Sequence, residues 1–569
     1  MKITILALIL IAVSTFAATF YVSTSGDNGD AGSASFPWRD PQYGAANISP
    51  GDTLIITSGT YYFADYGDDI IRPPHGNPGD YTTVIGHGAT KPLLLGSDNL
   101  YSIFELGSSW DSESWIHIEN FEIASLIDAP YTGGVREGIE AGSWGDTVSH
   151  YIFKNIEIYH VEEAGINIAG DADYITLEAC SIHHTGLFAL GGPSPSGDGW
   201  TNILIDSCYL SYAGHFYGGV ETPSPYDRPD GLGFEDSEGP IEIRYTTAEH
   251  NLGDGLDSKS KRTHIHHCTV ANNTCDGVKL WGDSSYVENT LICGTGDGDP
   301  SSSPWCLLVL DTEDSDGHYE IVNVTMWDSP GRNAHYVGTC QYDNSGVHVT
   351  LVFRNNIIVG RRMFFARPIV DIVAENNLFF IEGEEQIFAG DVYYDSTNIG
   401  SFGSGNIYGD PLFAGPAWGS DGDFHLNALS PARDAGTAVA LTDDLDGNPR
   451  PIGTGFDIGC YEFTDIGVSE ITTTPSAYEI RAYPNPFNSS VTISISGECD
   501  TPLRIEIYDV AGRKIVESPP APLIKGRAEQ SEAGGLFVWT PEKSLGSGVY
   551  LLRACYGEEP SITKIIYLK

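Results

Sequence analysis

Three aspartate–glycine pairs recur along one stretch of the chain. They begin at Asp230, Asp254 and Asp276, 24 and 22 residues apart, and an aliphatic residue follows each pair. If each interval formed one turn of a coil, the three carboxylates would stack at one phase of the repeat. Asp257 would then lie on the second turn and Lys279 on the third. The spacing predicts a cluster of acids with one amine beside it.

Such a cluster suits a metal-assisted proton abstraction. Carboxylates held close together raise each other's pKa, and calcium accepts irregular sets of oxygen ligands. We predict that Asp230, Asp254 and Asp257 bind Ca²⁺, and that Asp276 is a turn or supporting residue. A bound dication and partial burial would lower the pKa of Lys279, which we predict to be the catalytic base. This arrangement fits β-elimination from a uronic acid polymer, in which the amine takes the C5 proton.

A structural interpretation competes with the functional one. Aspartate and glycine are common in turns because both tolerate positive φ, so any single pair favours a turn. Three pairs in phase, with Asp257 and Lys279, favour a site. Near them, Lys259, Lys261 and Arg262 are predicted to bind uronate carboxylates or to form a solvated basic loop. Trp281 is predicted to stack on a sugar ring or to pack on the outer face.

The scaffold for these residues is a repeat of short β-type runs. Apolar and polar residues alternate in runs at 116–123, 151–158, 175–182, 203–210, 241–248, 263–270 and 285–292, with later copies near Asn323, Asn355 and Asn376. The fifth position is often asparagine, which can bond backbone at a tight turn and its own copy in the next coil. Intervals of 21 to 38 residues without amphipathic helices predict an all-β parallel β-helix. The longest interval contains a loop at 218–226 that would wall a groove.

Two resemblances sharpen this prediction. The segment "GDGLDSKS", followed one turn later by "CDGVKLWG", resembles the active-site motif pair of polysaccharide lyase family 9, the right-handed parallel β-helix pectate lyases. The likeness covers roughly residues 19–400 and is sharpest at 226–282. It implies calcium ligands at Asp230, Asp254 and Asp257 and a catalytic base at Lys279. The chain departs from the family at Gly253, where a further acid is common.

The last part of the chain differs in character. Residues 478–569 have the pattern of a small antiparallel β-sandwich. Their segments "YPNPFN", "IYDVAGR" and "SGVYLLR", with a lysine-ended terminal strand, resemble the C-terminal sorting domain of type IX secretion cargo. The resemblance implies export by the type IX machinery and an extracellular or cell-surface location. Residues 1–18 read as a signal peptide and 464–477 as a linker.

Composition limits the partners. The net charge of −48 should repel nucleic acid and anionic membranes, and also an acidic polysaccharide unless a divalent cation screens it. No apolar run after the signal is long enough to span a membrane. Cys180, Cys208 and Cys268 share one repeat phase and are expected as stacked thiols or bridges. Cys499 and Cys555 share the last domain and are expected either as a disulfide or as two thiols.

These observations predict a domain order and a function. We expect a cap and first coils at 19–114, a β-helix with the groove at 115–400, and last coils with a C-terminal cap at 401–463. The predicted function is a secreted, monomeric, calcium-dependent lyase acting on pectate. The alternatives are a lyase or epimerase acting on alginate or a glycosaminoglycan, or a non-catalytic carbohydrate-binding or surface β-helix protein.

Overall fold

The protein is described by a computed structural model of its 569-residue chain. The described residues are 17–64, 69–97, 100–107, 114–126, 134–142, 145–194, 197–215, 229–296, 306–314, 317–328, 336–343, 346–380, 387–418, 420, 422–464, 478–483, 491–497, 504–509, 514–517, 534–541, 545, 548–556 and 559–567. Residues 1–16 of the predicted signal, the 218–226 loop, residues 465–477 of the linker and Cys499 lie outside them, so the Cys499–Cys555 disulfide stays a prediction.

The first compact unit, residues 1–464, is a coil in which each turn gives one strand to each of three parallel sheets. Sheet one contains Thr19–Val22, Thr53–Thr57, Thr82–His87, Ser114–Glu119, Thr147–Lys154, Asp171–Glu178, Trp200–Thr201, Ile203–Asp206, Ile241–Arg244, Thr263–His266, Ser285–Glu288, Gly317–Val322, Val349–Arg354 and Val370–Glu375. Sheet two contains Thr60–Phe63, Leu93–Gly96, Glu122–Ser125, Glu157–Tyr159, Ser181–His183, Tyr209–Ser211, Thr247–Glu249, Thr269–Asn273, Leu291–Thr295, Thr325–Trp327, Ile357–Val359, Leu378–Phe380 and Ile407–Tyr408.

Sheet three carries the residues of interest. It contains Ser102–Leu106, Glu137–Ala141, Ile166–Asn167, Leu190–Gly192, Leu232–Ser237, Leu256–Ser260, Val278–Leu280, Leu308–Leu310, Gly338–Cys340, Phe364–Ala366 and Ile387–Ala389, with Val392–Tyr394 added antiparallel at one edge. The helical segments among the described residues are Pro41–Asn47 and the 3₁₀ turn Ile399–Ser401. None of the described helices has the length and apolar character needed to cross a bilayer.

Alternation along each strand builds the core. In Ile203–Asp206, for example, Ile203 and Ile205 are buried while Leu204 and Asp206 face outward. One apolar cluster made of such inward residues runs through the coil from Val22 to Ile399. Cys180, Cys208 and Cys268 are free thiols and buried, so stacked thiols and not bridges occupy that phase.

The asparagines lie at corners of the coil, as predicted. Asn120, Asn155, Asn323 and Asn355 all have positive φ. Asn155 Nδ2 donates to Asn120 Oδ1 at 3.0 Å, and Asn355 Nδ2 donates to Asn323 Oδ1 at 3.1 Å. The side-chain ladder between coils is therefore confirmed. A second, fully internal ladder was not expected and joins Asn356, Asn377 and Asn406.

Residues 401–463 were predicted as the last coils and a cap. Within that range, residues from Phe413 to Phe463 cover the outside of sheet two. Their strands Phe413–Gly415 and Asp423–Leu426 form an antiparallel pair. Phe413, Phe424 and Ile458 pack against outward residues of sheet two such as Leu291 and Ile357, making a second apolar cluster. We call 434–463 the strap. Its carbonyl oxygens accept hydrogen bonds from corner asparagines at positions 289, 323, 355 and 376.

The second compact unit spans residues 465–569. It contains two antiparallel sheets. One is formed by Tyr478–Tyr483, Val491–Gly497 and Gly534–Trp539, and the other by Lys514–Glu517, Arg504–Asp509, Gly548–Tyr556 and Glu559–Tyr567. This agrees with the small antiparallel β domain predicted for the end of the chain.

Candidate active site

Sheet three aligns the aspartate–glycine repeats. Leu232 pairs with Leu256, and Leu256 with Val278, so three successive coils are in register. The same register places Gly233, Asp257 and Lys279 in one column on the outer face of the sheet. The predicted stacking of the repeats is present, and Lys279 points to the same side as Asp257.

Backbone amides fix the stacked carboxylates. Asp254 N donates to Asp230 Oδ1 at 2.6 Å, and Asp276 N donates to Asp254 Oδ1 at 2.8 Å. Cys306 N, one coil further on, donates to Asp276 Oδ1 at 2.8 Å. Each aspartate therefore uses one oxygen to bind the next coil and keeps the other for the site.

The glycines are needed for close approach and not for turn geometry. Gly231, Gly255 and Gly277 are absent from the residues with positive φ, as are the aspartates before them. A Cβ added at Gly255 would lie 2.5 Å from Val270 Cγ1 and 2.7 Å from the carbonyl oxygen of Gly277. The turn explanation for these pairs therefore does not apply, and the repeat reflects tight packing of one coil on the next.

Lys279 bridges two of the acids. Its Nζ lies 2.7 Å from Asp257 Oδ2 and 3.1 Å from Asp254 Oδ2, and the side chain is only 12% exposed. Burial by itself would lower the pKa of Lys279, but the charges of Asp254 and Asp257 outweigh it and raise the pKa above its ordinary value. The lowered pKa predicted from sequence presumed a bound cation, and the residues of the chain alone have the opposite effect.

The aspartates fit a calcium ion. Asp230, Asp254 and Asp257 each offer one oxygen, and these oxygens lie within 4.8 Å of one another, the sole such group of three among the described residues. Ligands 2.3–2.6 Å from Ca²⁺ can be up to about 5.2 Å apart, so one ion can reach all three. Asp257 Oδ1 is also buried without a hydrogen-bond partner. An ion there would satisfy it.

The balance of charge at the site also favours a bound cation. Four carboxyl groups, including that of Asp276, are buried around a single ammonium group. Burial, together with the charge of Asp254, raises the pKa of Asp276 to about 8 and that of Asp230 well above its usual range. Burial raises the pKa of Asp257 to about 6 against the opposing charge of Lys279. A dication would relieve this excess of negative charge.

Gly253 occupies the position where the resemblance led us to look for another acid. Its backbone amide donates to the Pro229 carbonyl at 3.0 Å, and it adds no carboxylate. The candidate calcium set therefore consists of Asp230, Asp254 and Asp257, with open positions left for water or a substrate carboxylate.

The three basic residues predicted to bind substrate have acceptors within the chain. Lys259 Nζ lies 2.6 Å from Glu235 Oε1, and Lys261 Nζ lies 2.8 Å from Glu238 Oε1. Arg262, at a corner with φ of 55°, donates to the carbonyl oxygens of Glu238 and Gly239. Arg262 therefore holds the corner of a coil, while the two lysines line a cleft.

That cleft lies beside the aspartate cluster and has a volume of about 510 Å³. Trp281 joins the two, because its ring centroid is 5.4 Å from Lys279 Nζ and the same side chain lines the cleft. The charged side chains that line the cleft are two lysines and six acids: Lys259, Lys261, Asp198, Glu235, Asp236, Glu238, Glu313 and Asp314. Acids therefore exceed bases by four in the lining, an excess that the sequence analysis, which considered only Lys259, Lys261 and Arg262 here, did not anticipate.

Sequence reasoning also missed the floor next to Asp257. Gly191 and Gly233 occupy the two positions before Asp257 in its outer column. The ring of the half-buried Phe188 lies beside both, since a Cβ added at Gly191 would be 2.9 Å from a ring carbon. We call Gly191, Gly233 and Phe188 the glycine floor. The signal was present in the sequence, because Gly191 and Gly233 each stand one residue after an apolar position of the repeat, at Leu190 and Leu232.

Comparison with known proteins agrees with this architecture. Residues 109–292 match the family model "Right handed beta helix region", and residues 481–568 match "Secretion system C-terminal sorting domain". The chain is a right-handed parallel β-helix. Its terminal domain marks it for secretion or attachment to the cell surface, and implies the type IX secretion machinery as its partner. A search of curated protein sequences found no match.

Several solved structures are similar to this chain at low identity. The pectate lyase Pel9A is 16% identical over 79% of this chain and 97% of its own, with a TM-score of 0.42. XylC in complex with xylose is 11% identical over 78% and 98%, with a TM-score of 0.46. A rhamnogalacturonan lyase is 11% identical over 79% and 97%, with a TM-score of 0.33. At these values the likeness concerns the fold alone.

Proposed function

We propose that this protein is a secreted, calcium-dependent polysaccharide lyase that cleaves pectate by β-elimination. The observation that carries the proposal is the contact of Lys279 Nζ with two of three buried carboxylates whose oxygens can share one cation. An acid pair without the lysine would suit glycoside hydrolysis instead. A buried amine at the edge of a cation site suits abstraction of a proton next to a carboxylate.

Each residue has a defined task in this proposal. Asp230, Asp254 and Asp257 would hold the ion. Bound Ca²⁺ would bind the C6 carboxylate of a uronate, acidify the C5 proton and offset the aspartate charges that keep Lys279 protonated. Neutral Lys279 Nζ takes the C5 proton. The electron pair of the C5–H bond forms the C4–C5 double bond while the bond from C4 to the glycosidic oxygen breaks, and that oxygen takes a proton from water.

Surrounding groups orient the sugar. Trp281, which shares the outer face with Lys279, offers an aromatic ring at the entrance to the cleft. Because Gly191 and Gly233 carry no side chains, the Phe188 ring lies over them and forms the surface that a polymer crossing the sheet would contact. Phe188 keeps this floor apolar next to Asp230.

The test is formation of the unsaturated product from polygalacturonate with calcium at alkaline pH, followed by ultraviolet absorbance. We expect Lys279→Ala to lower kcat by about 10²–10⁴-fold, the usual contribution of a general base. Lys154→Ala, which removes an ion-paired lysine on sheet one, is the matched control and should keep the activity. Chelator should abolish the rate and added calcium restore it.

The same assay, run on other uronic acid polymers, distinguishes the alternative functions. Elimination from alginate or a glycosaminoglycan alone would replace pectate by another uronic polymer. C5 epimerisation without an unsaturated product would make Lys279 the base of an epimerase. Absence of both reactions on every polyuronate would contradict an enzymatic role.

A further inference from the structure

The pattern acid–glycine–aliphatic–acid occurs twice on sheet three. It is Asp254 to Asp257 at the candidate site and Glu137-Gly138-Ile139-Glu140 nearer the start of the coil. Register links the two, since Ile139, Ile166, Leu190, Leu232 and Leu256 are partners in successive coils. The two patterns therefore occupy equivalent positions four coils apart, about 19 Å along the sheet at the usual strand spacing.

Glu137 has an unused buried oxygen. The residue is only 2% exposed, and its Oε1 accepts a hydrogen bond from Asn167 Nδ2 at 2.8 Å. Its Oε2 is buried without a hydrogen-bond partner, as Asp257 Oδ1 is at the candidate site. Burial raises the pKa of Glu137 to about 8, and the charges of Glu140 and Glu163 add to this effect. A buried acceptor left unsatisfied costs free energy unless a proton or a cation fills the place.

The neighbours of Glu137 are oxygen donors without a lysine. Asn167 pairs with Glu140 one coil further on, just as Lys279 pairs with Asp257. The position equivalent to Lys279 therefore carries an amide instead of an amine. Two other acids nearby are occupied by arginines, because Glu163 pairs with Arg136 at 2.6 Å and Glu105 pairs with Arg72 at 2.8 Å. Glu137, Glu140 and Asn167 together offer carboxylate and amide oxygens, the ligands that Ca²⁺ prefers.

The two ends share one surface. The outer column of sheet three reads Glu140, Asn167, Gly191, Gly233, Asp257 and Lys279 in successive coils. The glycine floor thus separates two groups of oxygen donors. A polymer that crosses the floor from Lys279 would reach Glu140.

We propose that Glu137, Glu140 and Asn167 form a second site for a divalent cation, Ca²⁺, at the far end of the glycine floor from Lys279. This site differs from the first in having no base, so it binds and does not react. The cation site depends on these residues alone. Its use, which is to hold a second carboxylate of the same polysaccharide chain, rests on the proposed function.

Calcium titration of the full chain by isothermal calorimetry, after treatment with chelator, tests the site. We expect Glu137→Gln to bind one equivalent fewer than the wild type while retaining the equivalent that Asp257→Asn removes. Glu178→Gln, which alters an outer acid paired with Lys154 on sheet one, is the control and should bind as the wild type does. Glu140→Gln repeats the test at a more exposed position if Glu137→Gln does not fold. Unchanged stoichiometry in the folded variants would overturn the proposal.

A gain of affinity provides a second measurement. Asn167→Asp adds a carboxylate beside Glu140, and roughly tenfold tighter binding of one equivalent is expected because ligand charge tunes calcium affinity. On long polygalacturonate, Glu137→Gln should raise KM with little change in kcat, whereas Lys279→Ala lowers kcat. If no polyuronate is cleaved but the calorimetric differences hold, the cation site stands and the proposed function fails. An affinity unchanged by Asn167→Asp would remove Asn167 from the site.

Discussion

Lys279 and the candidate cation compete for the same negative charge. The lysine is held by Asp254 and Asp257, two of the three acids that an ion would use. Without an ion, the ammonium group is the local counter-charge and its pKa is raised. In the proposed mechanism, proton and metal therefore oppose each other at the site, and this antagonism would control when the amine can act.

The first residue-scale prediction concerns the pH dependence of the rate. In the proposed mechanism the neutral amine is the reactive form. Even when bound calcium offsets the carboxylates that raise the pKa of Lys279, the ordinary pKa of a lysine is alkaline, so the neutral population grows as the pH rises. The rate of elimination should therefore increase through the alkaline range at saturating calcium. Initial rates from pH 5 to pH 10.5 measure this, and a maximum near pH 5 would contradict the role of Lys279.

Acids in the cleft give a second prediction at this scale. Asp236 lines the acidic cleft and should repel a polyuronate. Asp236→Asn should lower KM for polygalacturonate a few-fold at low ionic strength with kcat nearly unchanged, and salt should erase the difference by screening. Asp371→Asn, at an exposed acid on sheet one, is the control. An unchanged KM would show that substrate does not approach through this cleft.

At the scale of the strand, the glycines set the distance between coils. A methyl group at Gly255 would meet Val270, Asn273 and the carbonyl of Gly277. Gly255→Ala should lower the free energy of unfolding by about 1–3 kcal/mol, the usual cost of overpacking. It should also weaken calcium binding, since Asp254 precedes this glycine.

Urea unfolding measures this effect. Gly346→Ala is the matched control, because an added Cβ at Gly346 meets nothing within 4 Å. Equal unfolding midpoints for the two variants would show that the coils can separate at Gly255 without cost.

The strands and corners of the coil were easier to predict from the sequence than the contacts on its outer surface. Period-two alternation and asparagine at a fixed position identified the coil and its corner ladder, because both depend on contacts that repeat. The stacking of Asp230, Asp254 and Asp257 followed from the same regularity. The partners of Lys259 and Lys261 did not, since Glu235 and Glu238 reach them from the preceding coil and no periodic pattern marks such pairs. The strap was expected only as part of the last coils and cap, and its contacts along the coil were not predicted, because it is irregular and contacts residues up to 161 positions away in sequence.

At the scale of the whole molecule, the two compact units divide at residue 464. Both large apolar clusters of the coil are composed of residues before that point. The β-helix therefore contains its own core, and the sorting domain serves export.

We predict that removal of residues 465–569 leaves the catalytic rate and the thermal midpoint of the β-helix unchanged, within about 2 °C for a domain of this size. Thermal unfolding and elimination assays on the shortened and full chains measure this. In cells, the shortened protein should fail to reach the medium or the cell surface. A large fall in the thermal midpoint would show that the tail supports the coil.

The strap changes how the coil can come apart. In a solenoid whose turns touch only their neighbours, the terminal turns can peel away one at a time. Here the strap bonds to the corners at Asn289, Asn323, Asn355 and Asn376 and is anchored by the fully buried pair of Arg450 and Glu462. If the last turn frayed, the strap would have to detach, and the strap is also hydrogen-bonded to turns well before the last one. The C-terminal half of the β-helix should therefore unfold cooperatively. Proteases outside the cell would then find no frayed terminal turn to cleave.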